Sequence, residues 1–520
     1  MISKPLLIGA LAGGLTLIAS VQGLASVSVV TVSKEPSPLA ACPNDSQPGR
    51  NYVSGEEEPQ LAVFGSTMIG MWHQDRWSNG GAHGIGVGTS TGGVTWSQSV
   101  FPDDTCSANA GVTTPSLLSF YQRSSDPWVS FGPDGVVYAS ALSFDATDNK
   151  NSVAVGTSSD GGSTWTNVQP ILGSIFTSID QSTDKNATTA DPVHAGTAYT
   201  VWDTLISPTI HNPDDNPEFA AYTGPAYFSK TTDGGVHWSQ AKIIINTTQR
   251  QQTIGNIIVV DPRNDTLYDF TDLIGPPNTP IQGTLSNEML AFVKSTDGGA
   301  TWTQPQIIAP FRSLGVIDPN TGQRLRVGDG LEEVAVDPSS GKLYAVWESS
   351  TNYNKAIQLS SGAWDNEILL VSSSNGGSTW TGPTVVHQLD SGLPTYTPTV
   401  AVNGGRVAVT YYDNRFLQSG QTNVLPTDYW VTFSTDGGAT FGGEEHIAGS
   451  FDELSAPVAR GFFLGDYEGL QPSGSGFEAL FVTTNCDGPA YTGPLCGPAS
   501  NTLHPSPNTN PTDVFAAAIS

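Results

Sequence analysis

The stretch Ser295–Trp302 reads Ser-Thr-Asp-Gly-Gly-Ala-Thr-Trp, and close variants of it recur along the chain. We call this pattern the turn phrase; its six copies are Thr89–Trp96, Ser158–Trp165, Thr231–Trp238, Ser295–Trp302, Ser373–Trp380 and Ser434–Phe441. The acidic position holds Thr91 in the first copy and Asn375 in the fifth. The second glycine recurs at intervals of 69, 73, 64, 78 and 61 residues. Repetition at such an interval is typical of an architecture built from repeated units.

The turn phrase has the chemistry of a β-hairpin turn. Its two adjacent glycines tolerate the positive φ angles that tight hairpin turns need. The aspartate can accept hydrogen bonds from backbone N–H groups of the turn. The aromatic residue at the end begins the next strand and can pack against its neighbours. We therefore expect the phrase to have a structural role and not a catalytic one.

The turn phrase resembles the Asp-box, or BNR, repeat of the sialidase-like β-propellers. Six copies make the resemblance specific, and the repeat region covers about residues 55–520. The same repeat occurs in sialidases, in other glycosidases, in lyases and in propellers without catalytic activity. The resemblance therefore implies an all-β propeller fold and leaves the reaction open.

A second pattern lies between the turn phrases: a polar pair, an apolar strand, a turn, and a second apolar strand that ends in polar residues. Such units open at Glu58-Pro59, Asp126-Pro127, Asp184-Lys185, Gly255-Asn256, Glu332-Glu333, Thr397-Pro398 and Gly465-Asp466. With its turn phrase, each full unit provides four strands, as one propeller blade does. The 463 residues from Glu58 to Ser520, divided by a mean interval of 69, give about 6.7 units. We expect seven antiparallel blades, with a six-bladed barrel and a C-terminal appendage as the alternative.

The chain divides into three parts. Residues 1–25, in which Lys4 precedes an apolar run, have the pattern of a secretory signal peptide. Residues 26–54 form an N-terminal segment, and we expect its stretch 26–33 to complete the last blade. Residues 55–520 form the propeller. No later stretch is apolar enough to span a bilayer, so we expect no membrane attachment after the signal peptide is cleaved.

Four cysteines are consistent with an exported protein. Cys486 and Cys496 are close in sequence, so we expect them to pair with each other. This leaves Cys42 to pair with Cys106. We therefore expect the mature protein to be secreted.

The composition excludes some classes of function. The chain has 20 Lys plus Arg against 48 Asp plus Glu, and its formal net charge is −28. Such an acidic protein is not expected to bind nucleic acid or anionic membranes. The sequence contains no convincing metal-binding cluster, Ser-His-Asp signature or phosphate-binding loop, so we expect neither a metal nor a cofactor.

Strand direction predicts where the site lies. The turn phrase joins the third and fourth strands of a unit, so the start of the first strand and the end of the second meet the opposite face, near the axis. The connection 311–330 belongs to that face. A concave polar centre is the expected binding site, and we expect Asp126 and Lys185 to contribute to it.

Three arginines are expected on the binding face. Arg76 and Arg415 follow second strands, Arg326 precedes the fifth unit, and Arg460 could replace any of them. A guanidinium can hold a carboxylate through two parallel hydrogen bonds. Three arginines around one axis resemble the triad with which sialidases hold the carboxylate of sialic acid. The alternative is that each arginine neutralises a nearby aspartate.

The resemblance to sialidases also implies an aspartate as acid/base group and a tyrosine activated by a glutamate. Asp75 or His83, in the first unit, is the expected acid, and His83 could also contact the substrate. The candidates for the couple are Tyr467 with Glu468, and Tyr412 with Glu332 or Glu333. Sialidases carry an Arg-Ile-Pro near the start of the first blade, where this chain has Glu58-Pro59-Gln60.

These features predict a secreted, glycan-active enzyme of the sialidase superfamily. We expect an exo-glycosidase, similar to exo-α-sialidases, whose substrate is an acidic glycan. Two alternatives remain at this point: a non-catalytic propeller that binds glycan or protein, and a polysaccharide lyase on the same scaffold.

Overall fold

The computed structural model describes residues 27–42, 47–148, 150–177, 181–207, 222–276, 287–311, 315–350, 366–387, 393–485 and 511–520. These residues form strands, turns and two short 3-10 helices, Cys106–Ala110 and Glu453–Ser455. Sixteen of the 31 strands in these residues form four four-stranded antiparallel sheets, twelve form one larger sheet, and three form a small one. The predicted all-β class is therefore confirmed. No helix among these residues has the length and apolar character needed to cross a membrane.

The strands follow the units predicted from the sequence. Strand β1 (Ser28–Thr31) precedes unit one, which is β2 (Asn51–Phe64), β3 (Thr67–Trp77), β4 (Ala82–Thr91) and β5 (Trp96–Phe101). Unit two is β6 (Arg123–Phe131), β7 (Val137–Phe144), β8 (Asn151–Ser158) and β9 (Thr166–Pro170). Unit three is β10 (Gln181–Ala190), β11 (Ala198–Ile206), β12 (Ala226–Thr231) and β13 (Lys242–Ile245). Unit four is β14 (Gln252–Asp261), β15 (Thr266–Ile274), β16 (Glu288–Ser295) and β17 (Gln306–Pro310).

The remaining units follow an inserted strand pair. The pair is β18 (Val316–Ile317) and β19 (Arg324–Arg326). Unit five is β20 (Glu332–Val336), β21 (Leu343–Ser349), β22 (Glu367–Ser373) and β23 (Thr381–Val385). Unit six is β24 (Thr395–Asn403), β25 (Arg406–Asp413), β26 (Pro426–Ser434) and β27 (Gly442–Asp452). After β28 (Phe462–Phe463) comes the last unit, β29 (Gly469–Ser473), β30 (Gly476–Thr484) and β31 (Thr512–Ile519).

The first strand of every unit faces a common centre. Strands β2, β6, β10, β14, β20, β24 and β29 each contribute residues to the wall of one cavity of about 360 Å³. Each of these strands also contacts the next in chain order, and β29 contacts β2. Successive units therefore surround a central space, and the last unit adjoins the first.

Both ends of the described chain meet in the last unit. Strand β1 pairs antiparallel with β31, with Ser28 opposite Ala518. Strand β31 in turn forms one parallel bridge to β2, between Thr512 and Gly55. We call this junction of β1, β31 and β2 the closing seam.

The disulfide Cys42–Cys106 is confirmed, and its Cα atoms lie 5.3 Å apart. It links the segment before β2 to the 3-10 helix that follows β5. The two cysteines are 64 residues apart in the chain. The predicted pair Cys486–Cys496 lies outside the described residues.

The turn phrase forms the predicted hairpin turn. Ser295 Oγ donates to Asp297 Oδ1 at 2.8 Å and accepts from Gly299 N at 2.9 Å. Asp297 accepts from the backbone N and the Oγ1 of Thr301 at 2.9 and 2.6 Å. The same bonds to the backbone recur in the copies that begin at Ser158, Thr231, Ser373 and Ser434.

Each turn phrase also packs against the preceding unit. A Cβ atom added at Gly299 would lie 2.5 Å from Phe228 Cζ, and the ring of Trp302 lies 5.4 Å from that of Phe228. Lys230 Nζ donates to the carbonyl oxygen of Gly298 at 2.8 Å. The second glycine is therefore required by its neighbour as well as by its φ of 79°.

The adjacent glycines provide a matched test of this packing. Both have left-handed φ, 65° at Gly298 and 79° at Gly299, so alanine is strained at either position. Only Gly299→Ala also places a methyl group against Phe228, and we expect it to lower the free energy of unfolding by about 1–3 kcal/mol more than Gly298→Ala. Thermal and urea unfolding of the two variants measure the difference. Equal losses of stability would contradict the packing argument.

Candidate functional site

The polar pairs that open the units coincide with β-bulges in five innermost strands. The first extra residue of each bulge has a positive φ; these residues are Glu58, Asp126, Lys185, Gly255 and Thr397, with φ of 53°, 49°, 40°, 76° and 49°. A bulge bends its strand and changes the direction of the local side chains. The bulges of units one, two and three bring charged groups of three different units together.

Lys185 lies at the centre of this charged group. Its Nζ is 2.9 Å from Asp126 Oδ1, 2.8 Å from Asp466 Oδ2 and 3.4 Å from Glu58 Oε1. The Lys185 side chain is 12% exposed, so the pairs are only weakly screened by water. Although burial opposes it, the three carboxylates raise the pKa of Lys185 well above its usual value. Predicted site residues Asp126 and Lys185 are thus in contact with each other.

Two of the three predicted arginines lie beside this group. Arg326 pairs with Asp466 through Nη2 at 2.7 Å and Nε at 3.3 Å. Arg76 Nε is 3.0 Å from Glu57 Oε2. The guanidinium carbons of Arg76 and Arg326 lie 4.9 and 4.2 Å from the centre of the Phe463 ring. One buried aromatic ring therefore holds both arginines by cation–π contact.

A cavity of about 780 Å³ opens above these residues. Its wall includes seven basic side chains: Arg76, Arg123, Lys150, Lys185, Arg324, Arg326 and Arg460. Five carboxylates also line it: Asp126, Asp145, Asp184, Asp329 and Asp466. Seven of the 20 Lys and Arg residues of a protein with net charge −28 thus surround one cavity. This concentration of positive charge favours an anionic ligand.

Three of the cavity arginines are not saturated by carboxylates. Among the described residues, the Arg460 side chain has no hydrogen-bonding or ionic partner, and it is exposed. Arg324 is 65% exposed and lies 3.6 Å from Asp329. Arg123 donates to Asn79 Oδ1 at 2.9 Å and to the carbonyl oxygen of Gly80 at 2.7 Å.

The carboxyl groups at the site differ in their readiness to ionise. Although burial opposes it, Arg326 and Lys185 hold the pKa of Asp466 well below its usual range. Burial raises the pKa of Asp329 to about 6, against the effect of Arg324. Burial also raises the pKa of Glu58 to about 8. Near neutral pH the site therefore combines an ionised carboxylate with carboxyl groups that can carry a proton.

The two candidate acids of unit one do not line this cavity. Asp75 and His83 are buried and lie 3.2 Å apart, from Oδ2 to Nδ1. Asp75 Oδ1 also accepts from the backbone N of Ser54 at 2.8 Å. These contacts fix the strand β3, and they leave neither group facing a ligand.

The tyrosine–glutamate couple forms in a different way from either predicted pairing. Tyr412 Oη lies 2.7 Å from Glu468 Oε1, and both residues are at most 1% exposed. Burial and the charge of Glu468 raise the pKa of the Tyr412 phenol. Tyr467 lies elsewhere, with its hydroxyl 3.2 Å from the carbonyl oxygen of Pro127. Glu332 is 1% exposed and lies near Tyr467, beside the axis.

Arg415 lies apart from the cavity. Its Nε pairs with Asp413, its Nη1 is 2.6 Å from Glu444 Oε2, and its guanidinium carbon is 3.6 Å from the centre of the Trp430 ring. These contacts hold it within unit six. Arg415 therefore fits the alternative in which an arginine neutralises a nearby aspartate. The cavity contains Arg123 and Arg460 in addition to Arg76 and Arg326.

The sequence offered a partial signal for the missed residues. Asp466 belongs to the polar pair that opens the last unit, although the resemblance to sialidases points to its neighbours Tyr467 and Glu468. Arg324 and Asp329 lie in the connection 311–330 that the strand directions assign to the binding face. Arg123 has no such signal, because it begins a strand and its partners come from the turn between β3 and β4 and from Pro48 before β2.

Comparisons with known proteins returned distant structural likenesses. Scans found no matching family model, and no curated protein matched. An α-L-arabinanase of Penicillium chrysogenum, complexed with arabinobiose, is 14% identical over 74% of this chain and 94% of its own, with a TM-score of 0.43. A Hadza microbial sialidase is 11% identical over 95% of both chains, with a TM-score of 0.43. An ulvan lyase of polysaccharide lyase family PL25 is 12% identical over 68% of this chain and 76% of its own, with a TM-score of 0.41.

Removal of the central ammonium group should destabilise the protein. Lys185→Met leaves Asp126, Asp466 and Glu58 close together without their shared cation, and we expect a loss of about 3–5 kcal/mol in unfolding free energy. Denaturant unfolding at neutral pH measures it. Lys150→Met, which changes an exposed lysine of the same cavity, should leave the midpoint close to that of the wild type. The double variant Lys185→Met/Asp126→Asn should regain part of the lost stability, because one of the repelling carboxylates is removed. If Lys185→Met were as stable as the wild type, the central role of the Lys185 ion pairs would be contradicted.

Proposed function

We propose that the protein is a secreted, seven-bladed propeller whose 780 Å³ cavity binds an acidic sugar and hydrolyses its glycosidic bond. The observation that carries this proposal is the gathering of seven basic side chains in one cavity of a strongly acidic protein. The volume suits a sugar of one or two rings, since pockets for small ligands measure about 300–1,000 Å³.

The blade count rests on the seven innermost strands around the 360 Å³ central cavity. Strand β1 supplies the fourth strand of the last blade by pairing with β31. The blades are joined in a ring by the contact of β29 with β2. The signal-peptide pattern of residues 1–25 and the disulfide Cys42–Cys106 support export.

Arg460, Arg324 and the outer nitrogen of Arg326 are the proposed ligands for the carboxylate of the sugar. Asp466 already takes up Nε and Nη2 of Arg326, so its Nη1 is left for a ligand. Asp466 itself positions this arginine. A cavity wall that keeps unpaired guanidinium groups can replace the hydration of a carboxylate with charge-assisted hydrogen bonds.

Asp329 and Asp466 are the proposed carboxyl pair for cleavage. Glycoside hydrolysis needs one group that protonates the leaving oxygen and one carboxylate that stabilises the positive charge developing on the sugar ring. Asp329, with its raised pKa of about 6, suits the first task, and the ionised Asp466 suits the second. The charge of Asp466 is itself among the causes that raise the pKa of Asp329, so the two groups interact.

Substitution of the exposed cavity arginine tests the binding proposal. Arg460→Gln removes a charge without breaking any contact of the described chain, and we expect about tenfold weaker binding of an acidic sugar, because a charge-assisted hydrogen bond contributes about 1.5–3 kcal/mol. Calorimetric titration with sialic acid and with glucuronate measures the affinity. Arg415→Gln is the control, since Arg415 lies within unit six and apart from the cavity. Weaker binding by this variant alone would favour the arginine triad expected from the sequence and would contradict the proposed carboxylate ligands.

Substitution of the proposed acid tests the cleavage. Asp329→Asn should lower kcat at least about 100-fold, the usual effect of losing a general acid. Asp184→Asn, which changes an exposed carboxylate of the same cavity, should retain most activity. For the wild type, the rate should fall as the pH rises through about 6, because Asp329 then loses the proton it must donate.

The product distinguishes the competing functions. The mature protein is incubated with a panel of sialylated and uronate-containing glycans, and the released sugars are identified by mass spectrometry. Free acidic sugar supports hydrolysis, whereas an unsaturated uronate would identify a lyase. Binding of a glycan without any product would contradict hydrolysis and indicate a non-catalytic propeller that binds glycan.

A further inference from the structure

The closing seam gathers acidic side chains from three separate parts of the chain. The only parallel bridge between β31 and β2 in the described residues joins Thr512 to Gly55. Glu56 and Asp513 come next along these two strands, and Glu35 follows β1. One oxygen of each of the three carboxylates lies within 4.8 Å of the corresponding oxygens of the other two.

Glu56 contributes to this group a buried side chain with one unpaired oxygen. The residue is 0% exposed, and its Oε1 accepts from Gln74 Nε2 at 2.5 Å. Its Oε2 is buried and has no hydrogen-bond partner among the described residues. A buried carboxylate oxygen without a donor is costly, and a bound cation would supply the partner that this oxygen lacks.

The protein supplies no such partner to Glu56 or Glu35 from the part of the chain that the structure describes. Neither residue forms an ion pair with a lysine, arginine or histidine there. Burial, followed by the charge of Asp513 and then that of Glu35, raises the pKa of Glu56. Three carboxylates thus converge where a cation would remove their repulsion.

Two serines hold the flanking carboxylates in place. Ser54 Oγ donates to Glu35 Oε2 at 2.7 Å, and Ser33 Oγ donates to Asp513 Oδ1 at 2.7 Å. The bond from Ser54 occupies only one of the two oxygens of Glu35. Glu35 is exposed and Asp513 is partly exposed, so an ion can reach the site from solvent.

We propose that Glu35, Glu56 and Asp513 form a calcium site that fastens the first unit to the last. All three donors are oxygens, which Ca²⁺ prefers and which suit zinc or copper less well. Calcium takes six to eight oxygens in flexible geometry, so water can complete the shell on the exposed side of Glu35. The ion replaces repulsion at the closing seam by attraction, and its role is structural and independent of the central cavity.

Calcium titration of the chelator-treated full-length mature protein tests the site. We expect one bound Ca²⁺ per chain by calorimetry, and a higher midpoint of thermal unfolding as the Ca²⁺ concentration rises, because a ligand that binds only the folded state stabilises it. Glu35→Gln, which changes an exposed side chain, should abolish the rise, and Glu56→Gln should do the same. Mg²⁺ should raise the midpoint less, since it requires a rigid octahedral shell.

Glu478→Gln is the matched control for the buried glutamate. Glu478 lies on β30, is 3% exposed and does not belong to the group. This variant should bind Ca²⁺ as the wild type does. Absence of binding and of any thermal shift in the wild type would overturn the proposal, as would a Glu35→Gln variant that keeps the full shift. Because the readout is stability, failure here leaves the proposed glycan function untouched.

Discussion

The ammonium group of Lys185 is the interaction on which the centre of the molecule depends. It contacts carboxylates from unit one, unit two and the segment that opens the last unit, so a single charge on unit three links four units near their common axis. The same contacts hold Asp466 in the ionised state, and Asp466 then binds Arg326. The position of the cavity arginine thus follows from the position of a lysine in another sheet.

The fold was predictable because its signals are local. The turn phrase determines a hairpin through hydrogen bonds between residues no more than four apart, and the polar pairs mark bulges within single strands. The site was less predictable, because its contacts join distant segments. The sequence predicts Arg76 and Arg415 at the ends of second strands and Arg326 before the fifth unit. The distinction between Arg415 and the other two depends on Asp413, Glu444 and Trp430, whose positions are known only from the sheet register.

The candidate catalytic residues illustrate the same limit. The sequence could suggest a tyrosine with a glutamate, and the structure does contain such a couple in Tyr412 and Glu468. Tyr412 belongs to the apolar core between the last two units, and Glu468 is fully buried beside it. The couple is buried, whereas the carboxyl group of Asp329 lines the cavity. A single sequence does not reveal the burial of each residue, so it could not make this distinction.

The packing of the turn phrase bears on how such a chain can gain or lose a unit by duplication or deletion. The six copies differ at the acidic position, where Thr91 and Asn375 occur, yet all six keep the second glycine. That glycine meets the neighbouring sheet: Gly299 lies against Phe228, and in the first copy Gly93 lies against Met68 of its own unit and Glu478 of the last. A duplicated unit therefore carries a turn whose second glycine must pack against a neighbouring side chain. It can be accommodated only next to a sheet that presents a side chain of the right size. The repeats are in this sense directional parts of a ring and not interchangeable modules.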